Sequence, residues 1–565
     1  MTSVRGPSSS VLFRNCHVYD GRCMPRLYNH ANPMRQSRAL FTLAVLLQTL
    51  CPVFLLPASA HGGEVAVEKK KAAPKKDLAA QIAVILAQPQ LARADWGIAI
   101  ADLETGKTIY ARNADRLFLP ASNAKLLTTS AMMALIGPDY RFRTTVETTG
   151  AVDPQGRLKG DLTIVGRGDP NISGRVLPYQ LKSQRNPPHT QILEDMANQI
   201  AQAGIKTVDG DVIGDDTFFS GERYPDGWTL DDLQWLDGAP VSALTFNDNV
   251  VFLKVQPGAA AGDKAVVTFE PQSSYYELDN RILTALPGTT RKIGIHRDPG
   301  SRKILLWGVL PTQDQGFTEA VSVEDPAQFT AEIFRGLLEQ RGITVTGTVK
   351  TRHGETAQFF DQAPPAPSAA NGPSALPAKI LALHVSEPLI EDVRVTNKTS
   401  QNLHAELGLR LIGKQTENNG SYDGGLTALK KFLHVAGLKE EEFSLNDGSG
   451  LSRRDLVTPA ALVRLLIYDA KQPWGAAFME TLPVGGVDGS LTERFANTPA
   501  AGLIHAKTGT LSHVSALSGY GETRSGKKFV FSIFCNKINL PSHKAAAAID
   551  QIVQSVVAEG EPAKK

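Results

Sequence analysis

Cysteine is scarce in this chain. There are four among 565 residues: Cys16, Cys23 and Cys51 near the N-terminus, and Cys535 far from them. Once the N-terminal segment is removed no intrachain disulfide can form, so an apolar core has to hold the fold. Cys535 lies in FVFSIFCNK, a buried-strand pattern that reads as a packed thiol rather than a catalytic one. The twelve histidines are scattered, with no H-E-x-x-H and no Cys/His ligand spacing, so no metal and no other cofactor is expected. GRGDP at 166–170 lacks the Gly-Lys-Ser of a phosphate loop, which argues against a nucleotide. A basic surplus is missing too. The formal charge is +2, yet residues 1–60 alone hold six Arg against one Asp. The rest is slightly acidic, and no nucleic-acid partner is expected.

Long apolar runs are equally rare. The one of note, Ala39 to Leu56, follows the basic Met34-Arg35-Gln36-Ser37-Arg38 and precedes Ala58-Ser59-Ala60. That order is an export signal with an A-x-A cleavage site, making His61 the mature start and Met34 the natural initiator. An uncleaved anchor is the alternative, but Pro52 inside the run and the cleavage signal after it favour removal. The mature protein is then periplasmic, with no permanent membrane span. Residues 61–76 are a polar, Lys-rich leader, and 354–379 are a Pro/Ala-rich linker.

A chain of 565 residues exceeds one ordinary core. Helical spacing over Asp77–Gln90, a hairpin over Trp96–Tyr110 and a helix ending near Ile136 form one block. Strand patterns at Gly502–Leu511, Val514–Tyr520 and Lys527–Asn536, then a helix Ser542–Val557, form another. The two predict a single α/β unit whose sheet draws strands from both chain ends, assigned to residues 77–141 and 380–558. Between them lie two β-rich insertions, 142–264 and 265–353.

The stretch FLPASNAKLLTTSAMMALI, Phe118 to Ile136, carries the chemistry. Ser122 and Lys125 are three apart in a helical run, so both face one space. A serine hydroxyl becomes a nucleophile when a base takes its proton, and a desolvated Lys can be that base. Ser-x-x-Lys alone is common in soluble helices. Two later motifs support it: Ser400-Gln401-Asn402, opening another apolar helix, and Lys507-Thr508-Gly509, in a strand run. This is the motif set of serine acyl-enzymes, in their order.

With GDLTIVGRGDPNIS (160–173), VDGDVIGDDTFF (208–219), APVSALTFNDN (239–249), NDGSGLSRRDLVTP (446–459) and LPVGGVDGSLTERF (482–495), these motifs resemble the class C low-molecular-mass penicillin-binding proteins. That is the D-alanyl-D-alanine carboxypeptidase/endopeptidase family. The resemblance implies an α/β (α+β) penicillin-binding transpeptidase/β-lactamase-like domain. Its antiparallel sheet lies between helices and is interrupted by two inserted β-rich domains. It implies peptidoglycan stem peptides and cross-links as substrates and β-lactam antibiotics as covalent ligands. It also implies roles. Ser122 attacks the carbonyl between two D-alanines, and Lys125 accepts its proton. The backbone N–H groups of Ser122 and Thr510 hold the oxyanion. Ser400 passes the proton on, and Asn402 orients Lys125 and the substrate amide. Lys507 and Thr508 bind the terminal carboxylate, and Gly509 lets the substrate strand approach. Asp215 overhangs the cleft to meet an amino group of the stem peptide; the alternative is a turn acid beside Asp216. Asp488 reads as loop-shaping. The middle residue Gln401 departs from the commoner Asp. A β-lactamase is one rival, lacking an assignable deacylation base. A peptidoglycan-binding protein with vestigial catalysis is the other.

Overall fold

The computed structural model describes residues 77–182, 185–354 and 378–559. The export signal 1–60, the leader 61–76 and nearly all of the linker lie outside these described residues. Among them no helix is long and apolar enough to cross a membrane.

The strand patterns at the two chain ends join in one five-stranded antiparallel sheet. Its order is Thr108–Arg112, Asp95–Asp102, Lys528–Asn536, Val514–Glu522, Ile504–Leu511. Period-two alternation gives the sheet two apolar faces. On one, Ile98, Ile100, Phe529, Phe531, Ile533 and Cys535 join a core with the helices Leu78–Leu86 and Ser542–Val557. Burial there pushes the Cys535 thiol up to about 12, so it stays an inert packed thiol, as its pattern implied. On the other face Ala99, Ala101, Val530 and Phe534 join a core with the helix Ala124–Leu135.

That helix is buried from Ala124 through Met133, polar residues included. A helix enclosed on all sides needs partners for each polar group. Thr128 Oγ1 donates to the Gly448 carbonyl at 2.7 Å, Thr129 Oγ1 to its own Lys125 carbonyl at 2.6 Å, and Ser130 Oγ to Asp469 at 2.5 Å. Lys125 is left to be satisfied by the site.

The insertion is built on a mixed sheet ordered Val349–Arg352, Val212–Asp215, Leu162–Val165, Arg143–Thr148, Lys379–Val385. Strand pairing revises the expected boundaries. Lys379–Val385, placed with the terminal block from 380 onward, instead pairs with Arg143–Thr148. Val349–Arg352, placed in the second insertion, pairs with Val212–Asp215 of the first, and the helix Pro326–Gln340 shares its core. A second sheet, ordered Thr344–Val345, Thr207–Asp209, Arg157–Lys159, Ala151–Val152, accompanies it, and two three-stranded sheets lie between Val250 and Ser322. Edge strands take partners distant in sequence, which local patterning does not reveal.

Candidate active site

Ser122 lies in a 3₁₀ turn, Ala121–Asn123, that runs directly into the helix Ala124–Leu135. The turn is entered through Ala121 at φ 48°, a conformation alanine avoids. No side-chain cap bond forms there, so the Ser122 hydroxyl is not spent on capping. One turn on, the Lys125 Nζ donates to Ser122 Oγ at 3.0 Å, to Asn402 Oδ1 at 2.6 Å and to the Ser449 carbonyl at 2.6 Å. The Lys125 side chain is fully buried. Burial pushes it down to about 8, against the pull of Asp447, Glu406, Asp237 and Asp455. Burial thus gives Lys125 a larger uncharged share than an exposed lysine carries.

Ser400 closes the helix Leu389–Thr399 in the left-handed conformation, φ 62°. The cap of the next helix, Asn402–Glu417, is Gln401, whose Oε1 accepts from Leu403 N–H at 3.3 Å. Ser400 is thus not the N-cap of that helix. Its Oγ accepts from Lys507 Nζ at 2.8 Å. Lys507 is fully buried on the strand Ile504–Leu511 and also donates to the Thr508 carbonyl at 2.9 Å. Burial and the neighbouring Lys125 charge hold Lys507 well below the usual lysine range.

The Lys-Thr-Gly strand is the edge of its sheet. The Ile504 carbonyl and Ala506 N–H bond the 483–485 segment on the side away from Val514–Glu522. Alternation along an antiparallel strand aims the Thr508 and Thr510 backbone groups the same way. Thr510 N–H therefore faces away from Val514–Glu522, and Ser122 N–H has no backbone acceptor among the described residues. A β-carbon on Gly509 would lie 2.7 Å from the Pro120 carbonyl and 2.8 Å from Asn123 Nδ2. The glycine lets the Ser122 turn close onto this strand. Asn123 Nδ2 seals that contact by donating to the Lys507 carbonyl at 3.2 Å.

The structure thus gathers Ser122, Lys125, Ser400, Asn402, Lys507, Thr508, Gly509 and Thr510. It gives Asp215 other partners: the carboxylate accepts from Thr217 N–H and Oγ1 at 3.0 and 2.7 Å and pairs with Arg352 at 3.8 Å. These bonds hold the Asp215 carboxylate in its turn. His505 and His513 make no bond to the cluster; His513 Nδ1 meets the Ile538 carbonyl.

Two contributors escaped the sequence reading. The Asn446–Asp455 loop supplies the Ser449 carbonyl to Lys125, a backbone atom that no residue type betrays. Asp447 shapes the loop by accepting from Ser449, Gly450 and Ser452 N–H and from Trp228 Nε1 of the insertion at 2.9 Å. Burial and Asp447 together push Glu406, beneath it, up to about 8. Second, buried Lys398 pairs with Asp488 at 2.5 Å. Asp488 also accepts from Val484 N–H at 2.8 Å, and Ser490, two residues on, meets Thr508 Oγ1 at 2.7 Å. This makes Asp488 the loop-shaping residue it was read as. A cleft of about 480 Å³ in the insertion, beside His189 and Gly336, shares no residue with the cluster.

Residues 78–557 match the D-Ala-D-Ala carboxypeptidase 3 (S13) family. A D-alanyl-D-alanine carboxypeptidase of Actinomadura sp. (strain R39) is 35% identical over 498 residues, 86% of each chain. A D-alanyl-D-alanine carboxypeptidase of Haemophilus influenzae is 25% identical over 447 residues, 78% of this chain and 85% of that one. The crystal structure of penicillin binding protein 4 from H. influenzae superimposes with a TM-score of 0.70 at 23% identity, covering 85% of this chain and 98% of that one. A second structure of that protein, complexed with a β-lactam, gives 0.63 at 21% identity and 85% and 99% coverage.

Proposed function

Since the chain belongs to the D-Ala-D-Ala carboxypeptidase 3 (S13) family and is a serine-type carboxypeptidase, we propose that Ser122 is its nucleophile and Lys125 its general base. The observation that carries this is the 3.0 Å bond between a buried Lys125 Nζ and a Ser122 hydroxyl with no capping duty. The uncharged fraction of Lys125 takes the hydroxyl proton as Ser122 Oγ attacks the carbonyl carbon between the terminal D-alanines. The Ser122 and Thr510 N–H groups receive the developing oxyanion. Lys125 returns the proton through Ser400 to the departing nitrogen, and the C–N bond breaks. Water then cleaves the Ser122 ester, leaving acid and free serine.

Lys507 and Thr508, with Ser400, bind the substrate's terminal carboxylate, and Asn402 fixes Lys125. The same bond type in peptide cross-links makes endopeptidase cleavage a second activity of this site. β-Lactams acylate Ser122 because their ring carbonyl offers the same electrophile. The enzyme works in the periplasm once residues 1–60 are cleaved. By strand pairing, the catalytic domain comprises residues 78–141 and 389–558, with an insertion of 142–388 that carries the subdomain 250–322.

Fluorescent penicillin followed by mass mapping of the labelled peptide tests the assignment. A slowly released label on Ser122, absent from Ser122→Ala, is expected. A label on another serine would move the nucleophile, and rapid turnover would favour the β-lactamase reading.

A further inference from the structure

The insertion touches the Ser-Gln-Asn motif at two points of one segment, residues 237–249. The Asp237 carbonyl accepts from Asn402 Nδ2 at 2.9 Å, and the Asp248 carboxylate accepts from Gln401 Nε2 at 2.7 Å. Asp248 is completely buried and is the centre of a charged cluster. Its Oδ2 also receives Arg175 at 2.6 Å and Arg185, and its Oδ1 faces His404 Nε2 at 3.3 Å. His404 Nδ1 meets Asp392 Oδ1 at 2.6 Å, to which Asn171 Nδ2 donates at 3.2 Å. Burial alone would raise the Asp248 carboxyl, but the two guanidiniums and His404 outweigh it and keep it ionised.

The backbone beneath this carboxylate is strained. Asn247, Asp248 and Asn249 take φ values of 54, 54 and 55° in succession. Single non-glycine residues adopt this region reluctantly, and three together need support. Their neighbours give it: Asn249 Oδ1 accepts from Phe246 N–H, Asn249 Nδ2 donates to the Pro240 carbonyl, and Asn247 Nδ2 donates to the Val250 carbonyl. The strained turn delivers a fixed anionic acceptor to Gln401. The Gln401 amide is thereby gripped at both ends, by Asp248 and by Leu403 N–H. Its two chain neighbours are Ser400 and Asn402.

We infer that Gln401 and Asp248 are positioning residues for the Ser122 reaction, holding the motif so that Asn402 Oδ1 meets Lys125 and Ser400 Oγ meets Lys507. The inference rests on the function proposed for that site. It makes the insertion part of the catalytic apparatus, acting on the base through Asn402. It also gives the departure at Gln401 a use: an amide can donate to a buried carboxylate, whereas an Asp in its place would repel it.

The test is Gln401→Met, which keeps the side-chain length and removes the donor and acceptor. Acylation by a chromogenic cephalosporin is measured across pH, with melting temperature alongside. The expected result is an acylation rate constant lower by about tenfold, the worth of one such bond, with a smaller change in the half-saturating concentration. The acid limb of the pH profile should also move to lower pH, because a displaced Asn402 no longer accepts from the Lys125 ammonium. Lys507, Asp447, Glu406, Asp237 and Asp455, the charged groups around Lys125, are the same in both proteins. Asp248→Asn should act in the same direction and more strongly. An unaltered rate and limb in Gln401→Met overturns the inference. A loss that merely follows the folded fraction, with the remainder reacting at the wild-type rate, overturns it too. Mass mapping of the wild type separates the two questions: no label on Ser122 would sink the site assignment, while labelled wild type beside an unaffected Gln401→Met would sink only this inference.

Discussion

A β-carbon on Gly450 would lie 1.9 Å from the carbonyl oxygen of Ala121. The two residues belong to the loop that binds Lys125 and to the turn that presents Ser122, and both have positive φ, 77° and 48°. The bare Cα of Gly450 is what lets the loop lie against the turn. Gly450→Ala is therefore expected to push the nucleophile turn away from the Lys125 ammonium. Displacement on this scale costs about 100-fold in rate, whereas the left-handed backbone alone costs roughly 1–2 kcal/mol of stability. Acylation kinetics and thermal unfolding, compared on one preparation, check both. Wild-type acylation would mean that the turn tolerates the shift.

Lys125 supplies the pH dependence. Burial holds it near 8, and only its neutral form accepts a proton. The acylation rate constant should therefore rise with pH, close to tenfold per unit below about 8, and level off above it. Stopped-flow acylation by a β-lactam across this range gives the limb directly. A flat profile would show that Lys125 is not the base.

That the three motifs would meet was legible in the sequence because each is short and sits on one local element. Ser122 and Lys125 share a turn, and Lys507 to Thr510 share a strand. The five-stranded sheet was legible for a similar reason, since a hairpin at one chain end and three consecutive strands at the other are each readable locally. What stayed hidden depends on distance or on backbone. Lys379–Val385 reads as an ordinary strand, and only its pairing with Arg143–Thr148 assigns it to the insertion. Arg175, Arg185, Asp248, Asp392, Gln401 and His404 are individually unremarkable and meet only in the fold. Ser449 acts through its carbonyl. Ser400 precedes a helix, yet at φ 62° it leaves the N-cap to Gln401, a conformation that residue type does not announce.

Lys507 leads to a prediction about substrate binding. In the free site, burial and the Lys125 charge hold it well below the usual lysine range. A bound carboxylate would stabilise the ammonium form and raise that value, so binding takes up a proton. The KM for a D-Ala-D-Ala peptide should then increase as pH rises through the free-enzyme value of Lys507. A peptide with its C-terminal carboxylate amidated should lose this dependence. Calorimetric titration in buffers of different ionisation heat measures the proton directly, and a zero count would remove Lys507 from the carboxylate site.

The Lys398–Asp488 pair lies under the loop that brings Ser490 to Thr508, with side chains only 4% and 7% exposed. Removing one partner of a buried pair strands the other charge, at a cost of about 3–5 kcal/mol. Asp488→Asn should therefore lower stability by about that much and raise KM through Thr508, with a smaller effect on the acylation rate constant. Replacing both, as Lys398→Met with Asp488→Leu, removes the stranded charge and should recover much of the stability. It cannot recover KM, because leucine, unlike asparagine, leaves Val484 N–H without the side-chain oxygen that folds the loop. Stability and KM should thus separate in the double variant. If the two recover together, the ion pair rather than the Val484 bond is what sets the position of Ser490.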